Sequence, residues 1–146
     1  MKIQQISLFA ENKPGHLTAP ARLLAQQGVD IRAMYLADTE QYGIVRMIVS
    51  NAQDAVKMLE SQGFVAKLTE VLAVEVPDHP GGLADILTAL DLGGINIEYM
   101  YGFPYAHRGR AVLIFRFADP DVAIARLLHA GLHLLTHNEL LGELKA

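Results

Sequence analysis

Residues 11–17 read Glu-Asn-Lys-Pro-Gly-His-Leu and residues 77–83 read Pro-Asp-His-Pro-Gly-Gly-Leu. Two Pro-Gly-x-Leu turns in one short chain, each after strand-like and before helix-like residues, point to an internal duplication. Setting Pro14 on Pro80 fixes an offset of 66 residues, and the flanking sequence falls into line. Asn12 meets Asp78, Gly15 meets Gly81, Leu17 meets Leu83 and Leu24 meets Leu90. Gly28-Val29-Asp30-Ile31 meets Gly94-Ile95-Asn96-Ile97, and Met34-Tyr35 meets Met100-Tyr101. Farther on the offset is 68, so that Val45, Met47 and Val49 fall on Leu113, Phe115 and Phe117, and Gly63 on Gly131. The second copy is thus expected to carry a hairpin loop two residues longer.

Both copies share one grammar. Ile6, Leu8 and Ala10 alternate with Gln5, Ser7 and Phe9, as Leu72, Val74 and Val76 do with their neighbours, the period of two of a strand. After the turn, Leu17, Ala21 and Leu24, or Leu83, Ile86, Leu87 and Leu90, recur at helical spacing with one apolar stripe. Gly28 and Gly94 stop these helices, because a left-handed cap suits glycine. Hairpins follow over Ile31 to Ala37 with Ile44 to Val49, and over Ile97 to Phe103 with Ala111 to Phe117. A second helix starts near Asn51 or Asp119, both good caps, with Pro120 in a first turn. Gly63 and Gly131 end it, and short strands run over Val65 to Leu68 and Leu132 to Thr136. Pro20 is tolerated only early in a helix, so the first helix is expected to start near Thr18 or to bend. The order is βαββαβ twice: an α+β chain of two ferredoxin-like repeats, over residues 1–70 and 71–146, each an antiparallel sheet with its helices on one face.

The chain has 146 residues, 51% hydrophobic and 19% charged, a composition that sustains a core. A net charge of −4 argues against binding nucleic acid by charge. The basic run His107-Arg108-Gly109-Arg110 reads as a solvated hairpin tip. Absence of cysteine excludes disulfides, thiolate metal sites and cysteine nucleophiles. The amino terminus lacks the apolar run of a signal peptide, and no stretch is long enough to span a membrane, so a cytoplasmic protein is expected.

With those residues in hand, both halves resemble ACT domains, small regulatory modules that bind amino acids. The resemblance rests on the strand ending in Asn12 or Asp78, the Pro-Gly-x-Leu turn, the helix, and Gly-Val-Asp-Ile or Gly-Ile-Asn-Ile opening the next strand. It covers about residues 3 to 137. The runs Tyr42 to Arg46 and Ile97 to Tyr101 are similar to stand-alone tandem ACT proteins. The first loop also resembles the serine-sensing ACT domain of phosphoglycerate dehydrogenase, in which an Asn-x-Pro-Gly loop and an Asn in Gly-Val-Asn-Ile hold the effector across a domain interface. Asn12 matches the loop Asn, but Asp30 stands where the second belongs; in the second copy the pattern inverts, with Asp78 in the loop and Asn96 on the strand. Neither repeat has both amides, and a site made between repeats pairs Asn12 with Asn96. The resemblance implies a non-catalytic, amino-acid-binding regulator without a cofactor.

The residue chemistry suggests how such a turn holds an amino acid. A helix start leaves backbone N–H groups aimed outward at the positive end of the dipole, which suits a carboxylate. Gly15, Gly81 and Gly82 lack a Cβ and permit close approach. Asn12 or Asp78 accepts from the ammonium, and so does Asp30 or Asn96. His16, Leu17, Leu83 and Ile97 complete the candidate set. The competing reading makes Asn12 and Asp78 simple turn or cap residues and the glycines servants of the turn; His16 either lies over a ligand or covers the helix start. Gly82, where the first copy has His16, makes the second loop the roomier candidate. Arg46 and Arg116 read as cross-strand ion pairs more readily than as carboxylate clamps, and Tyr35, Tyr99 and Tyr101 as packing or interface residues.

Serines occur at positions 7, 50 and 61 alone, none in a nucleophile elbow, and no phosphate loop is present. His129, His133 and His137 recur at the spacing of metal ligands on a helix, but Gly131 interrupts it, so no metal is expected. The alternative function is a subunit that docks onto a biosynthetic enzyme without binding a ligand. Open sheet edges favour a homodimer in either case.

Overall fold

The computed structural model describes residues 1–38, 42–107 and 109–142. The chain divides into two compact units, Gln4–Thr69 and Met1–Ile3 with the chain from Glu70 onward. In the first, β1 (Lys2–Glu11), α1 (Thr18–Gln26), β2 (Ile31–Asp38), β3 (Tyr42–Val49), α2 (Ala52–Ser61) and the start of β4 (Val65–Pro77) follow one another, with strand order β2-β3-β1-β4. The second takes the rest of β4, then α3 (Gly82–Leu92), β5 (Ile97–His107), β6 (Arg110–Phe117), α4 (Pro120–His129), β7 (His133–Leu135) and α5 (His137–Gly142), with order β5-β6-β4-β7. These are the two βαββαβ repeats that the periodicities predict.

Each repeat buries one sheet face under its two helices. In the first, Ile6 and Leu8 pair with Met47 and Val45 and pack with Leu24 of α1 and Ala55 and Leu59 of α2. In the second, Leu72 and Val74 pair with Phe115 and Leu113, and Leu72, Val74 and Phe115 pack with Ile86 and Leu90 of α3 and Leu127 of α4. The Phe115 and Phe117 rings stack at 5.8 Å. Leu83, expected on the buried stripe, is 40% exposed; the stripe proper is Ile86 and Leu90.

The glycine stops are one device used four times. Gly28, Gly63, Gly94 and Gly131 have φ between 65° and 87°. At each, the glycine N–H donates to the carbonyl three residues back, and the next N–H, of Val29, Phe64, Ile95 or Leu132, donates to the carbonyl five residues back. This double closure satisfies carbonyls that a helix end otherwise leaves open. α1 begins at Thr18 as expected, with Pro20 in its first turn.

Three features differ from expectation. Val65 to Leu68 and Leu72 to Val76 are not separate strands but one, the 13-residue β4. The two extra residues of the second copy do not lengthen the hairpin tip: Phe103 pairs with Val112 and Ala106 with Ala111, so Pro104 and Tyr105 are taken up as a bulge within β5. Proline, which lacks an N–H for the ladder, sits naturally at such a point. Finally, the expected strand over Leu132 to Thr136 is only His133–Leu135, and Thr136 opens α5. The Thr136 N–H donates to Glu139 Oε2 at 2.7 Å and the Glu139 N–H to Thr136 Oγ1 at 3.2 Å, a reciprocal capping box. Of the basic run at 107–110, Arg108 lies outside the described residues, and Arg110 Nε pairs with Glu75.

Candidate functional site

The four long helices start in two ways. α2 and α4 are capped by side chains, Asn51 accepting from the Asp54 N–H and Asp119 from that of Val122. α1 and α3, which follow the Pro-Gly turns, have Leu17 and Gly81 at the cap position and no side-chain hydrogen bond there. Asn12 and Asp78 are exposed and do not cap these helices.

The two helix starts are not equally open. At the first, the Ala19 N–H donates to the Gly15 carbonyl at 3.3 Å, and Pro20 has no N–H to offer. The row of bare amides expected there is therefore short. The His16 N–H donates to the Lys13 carbonyl, and its Nδ1 lies against that same oxygen. At the second, the Gly82 N–H donates to the His79 carbonyl at 3.1 Å, and the Asp78 N–H to the Gly109 carbonyl at 2.7 Å. A Cβ at Gly82 would stand 2.2 Å from the Pro77 carbonyl oxygen. The space opened by Gly82 is thus filled by the protein's own backbone.

The first loop borders a cleft of about 450 Å³. Lys13, Pro14, Gly15 and His16 form one side, with Ala19 of α1. Phe9 at the end of β1, Tyr42 at the start of β3, and Phe64 and Val65 after α2 form the other. Of the first repeat's candidates, the cleft brings together Gly15 and His16. Asn12 is not among its walls, and Leu17 packs on the core.

Asp30 and Asn96 lie elsewhere within their repeats. Each follows the C-terminal end of the helix whose start carries the loop; α1 has nine residues and α3 eleven, which places roughly 13–16 Å between the two ends. A loop and the strand residue of the same repeat therefore do not meet around one amino acid. Asp30 Oδ2 pairs with Arg32 Nη2 at 3.1 Å. Asn96 lines a hollow of about 260 Å³ with Gly93, Gly94, Ala118 and Asp119, and Ile97 packs against the second core.

Arg116 donates to the Glu70 carbonyl at 2.8 Å and lies 3.9 Å from Glu98, and Arg46 stands over the Tyr35 ring at 5.9 Å. His129, His133 and His137 fall on α4, β7 and α5, so they share no helix face. Among the described residues no helix is long and apolar enough to cross a membrane. The cleft walls Phe9, Tyr42, Phe64, Val65 and Lys13 escape a motif search because they come from separate elements. Their signal was the offset itself, which places Glu75, Arg110 and His133 opposite Phe9, Tyr42 and Val65.

Comparison with known proteins bears on this arrangement. A family model described as an ACT domain pair matches residues 1–144. A solved protein from Bacteroides thetaiotaomicron is 34% identical, covers 96% of both chains and superposes with a TM-score of 0.89. The regulatory subunits of aspartate kinase from Thermus thermophilus and Thermus flavus are 21% and 20% identical, each alignment covering 87% of this chain and 91% of the other, with TM-scores of 0.62 and 0.59. At that identity the likeness is one of fold. No curated protein sequence matches the chain.

Proposed function

The chain belongs to the ACT domain pair family, and on that premise we propose that it is a non-catalytic regulatory protein that binds an amino acid at its strand-to-helix Pro-Gly loops, where ACT repeats meet. The first repeat spans residues 1–70 in this reading and the second 71–146. The observation that carries it is the cleft of about 450 Å³ beside Pro14, Gly15 and His16, within the usual size of small-molecule sites, roughly 300–1,000 Å³. Its position next to a helix start without a side-chain cap supports a ligand with a carboxylate. Asp30 and Asn96 each stand at the far end of the helix from the loop of their own repeat, so neither joins that loop's residues around one ligand. We place the protein in the cytoplasm.

Thermal melts against each of the twenty amino acids test this. A ligand that binds the native state alone adds about 2.7 kcal/mol at a hundredfold excess over Kd, which raises Tm by several degrees. A series without any shift at millimolar ligand rejects amino-acid binding.

A second reading draws on β2, the edge strand of the first repeat, where Met34, Tyr35 and Leu36 are 43%, 36% and 41% exposed. An apolar edge of this kind favours association, as a homodimer or on a biosynthetic enzyme that the protein regulates without a ligand. Sedimentation equilibrium reading the mass of one chain rejects the homodimer.

A further inference from the structure

Three of the large apolar side chains that the protein leaves exposed meet at one place. Phe9 is 43% exposed, Tyr42 52% and Val65 66%, and together with Phe64 they wall the cleft beside the first Pro-Gly loop. At the rim stand one anion and one cation: Lys13 Nζ lies 3.0 Å from Glu11 Oε2, both side chains about two-thirds exposed. An exposed pair contributes little to stability, so exchanging it for the charges of a ligand costs little.

The second repeat supplies an internal control. At the positions of Phe9, Tyr42 and Val65 it has Glu75, Arg110 and His133, and at those of Glu11 and Lys13 it has Pro77 and His79. Arg110 Nε is paired with Glu75, and Glu75 faces His133 across the ladder. His79 Nδ1 is 2.9 Å from the Pro80 carbonyl. Three of the four wall positions thus carry ionisable side chains, Arg110 paired with Glu75 and His133 3.7 Å from Glu139, with Leu132 at the place of Phe64, and Pro77 and His79 stand where the first repeat has its carboxylate and its ammonium.

We propose that the first repeat alone carries the amino-acid site, one per chain, and that this site selects an amino acid with an aliphatic or aromatic side chain. The side chain lies against Phe9, Tyr42, Phe64 and Val65; the carboxylate faces Lys13 and the ammonium faces Glu11. This inference rests on the reading that the chain binds an amino acid, and adds to it the number of sites and the class of ligand.

Isothermal titration of the full chain with leucine, phenylalanine, serine and aspartate tests it. Leucine or phenylalanine is expected to bind at one per chain, with serine and aspartate at least about tenfold weaker, the discrimination that burial of a large apolar side chain provides. The double variant Phe9→Glu/Tyr42→Arg, which installs the second repeat's residues at exposed positions, is expected to weaken binding about a hundredfold or more. Lys13→Ala, which leaves the apolar wall intact, is expected to weaken it about tenfold, and Arg110→Gln to leave it unchanged. Two ligands per chain, tighter binding of serine or aspartate, or undiminished binding by both cleft variants overturns the inference while amino-acid binding stands. Absence of binding by all twenty amino acids overturns both.

Discussion

The loops at residues 12–17 and 78–83 have the same Pro-Gly and the same left-handed glycine, Gly15 at φ 85° and Gly81 at φ 94°, yet they lead into different helices. α3 begins at once, at Gly82; α1 waits until Thr18, two residues later on the alignment. Pro20 accounts for the delay. Were α1 to start at His16, the proline ring would meet the His16 carbonyl and would lack the N–H to bond it; the second repeat has Ile86 there. The difference teaches that the shared dipeptide sets the turn, whereas the residues after it decide where the helix starts and what fills the space.

That contrast is broken most severely at Gly82. Gly82→Ala drives a Cβ to 2.2 Å from the Pro77 carbonyl oxygen, backbone that moves only with β4, and is expected to cost about 3 kcal/mol. Gly15→Ala meets nothing within 4 Å and has only its positive φ to overcome, about 1 kcal/mol. Urea denaturation of the two variants compares them. Equal losses would mean that Gly82 serves the turn alone.

Much of this architecture was legible because it is local. A glycine after a helical stripe implies a left-handed stop, and all four do so with the same two hydrogen bonds. Asn51 and Asp119 were readable as caps for the same reason. What escaped depends on relations that a single segment does not carry. Nothing between Leu68 and Leu72 tells a strand to stop, so two expected strands are the single β4. The two inserted residues shift register between Phe103 and Ala106 rather than at the tip, which shows only in the pairing of β5 with β6. The cleft is harder still, since its apolar wall is gathered from β1, β3 and the turn after α2. The family's loop glycine and the adjoining His16 reach it, but Asp30 is already held by Arg32 at the other end of α1.

A smaller effect sharpens the distinction between the two kinds of helix start. Asn51→Ala and Asp119→Ala each remove an acceptor from a helix N-terminus, and each is expected to cost about 1 kcal/mol. Asn12→Ala and Asp78→Ala remove no cap from α1 or α3, and stability is expected to change by less than about 0.5 kcal/mol. A loss at Asn12 as large as that at Asn51 would return Asn12 to a structural role in the turn and weaken its candidacy for a ligand.

The smallest expected effect lies where the repeats end differently. After α2 the chain runs straight on as β4, whereas after β7 it turns into α5 through Thr136 and Glu139. The motif Thr-x-x-Glu was present in the sequence, but the apolar run before it reads as a longer strand. The Glu139 carboxyl is held below its ordinary range, first by the Thr136 N–H, against a smaller opposing effect of burial, and further by the Thr136 hydroxyl and His133. Because the folded value lies below the unfolded one, about 4.3, this stabilisation is complete above the unfolded value and fades as pH falls through the folded one. Glu139→Gln keeps an acceptor for the Thr136 N–H and removes only the charge. It is expected to lower stability by about 0.5 kcal/mol at pH 7, and the gap is expected to close at an acidic pH below the folded value of the carboxyl. Urea denaturation at the two pH values reads the difference. A gap that persists unchanged in acid would mean that the side chain's shape, and not its charge, holds the start of α5.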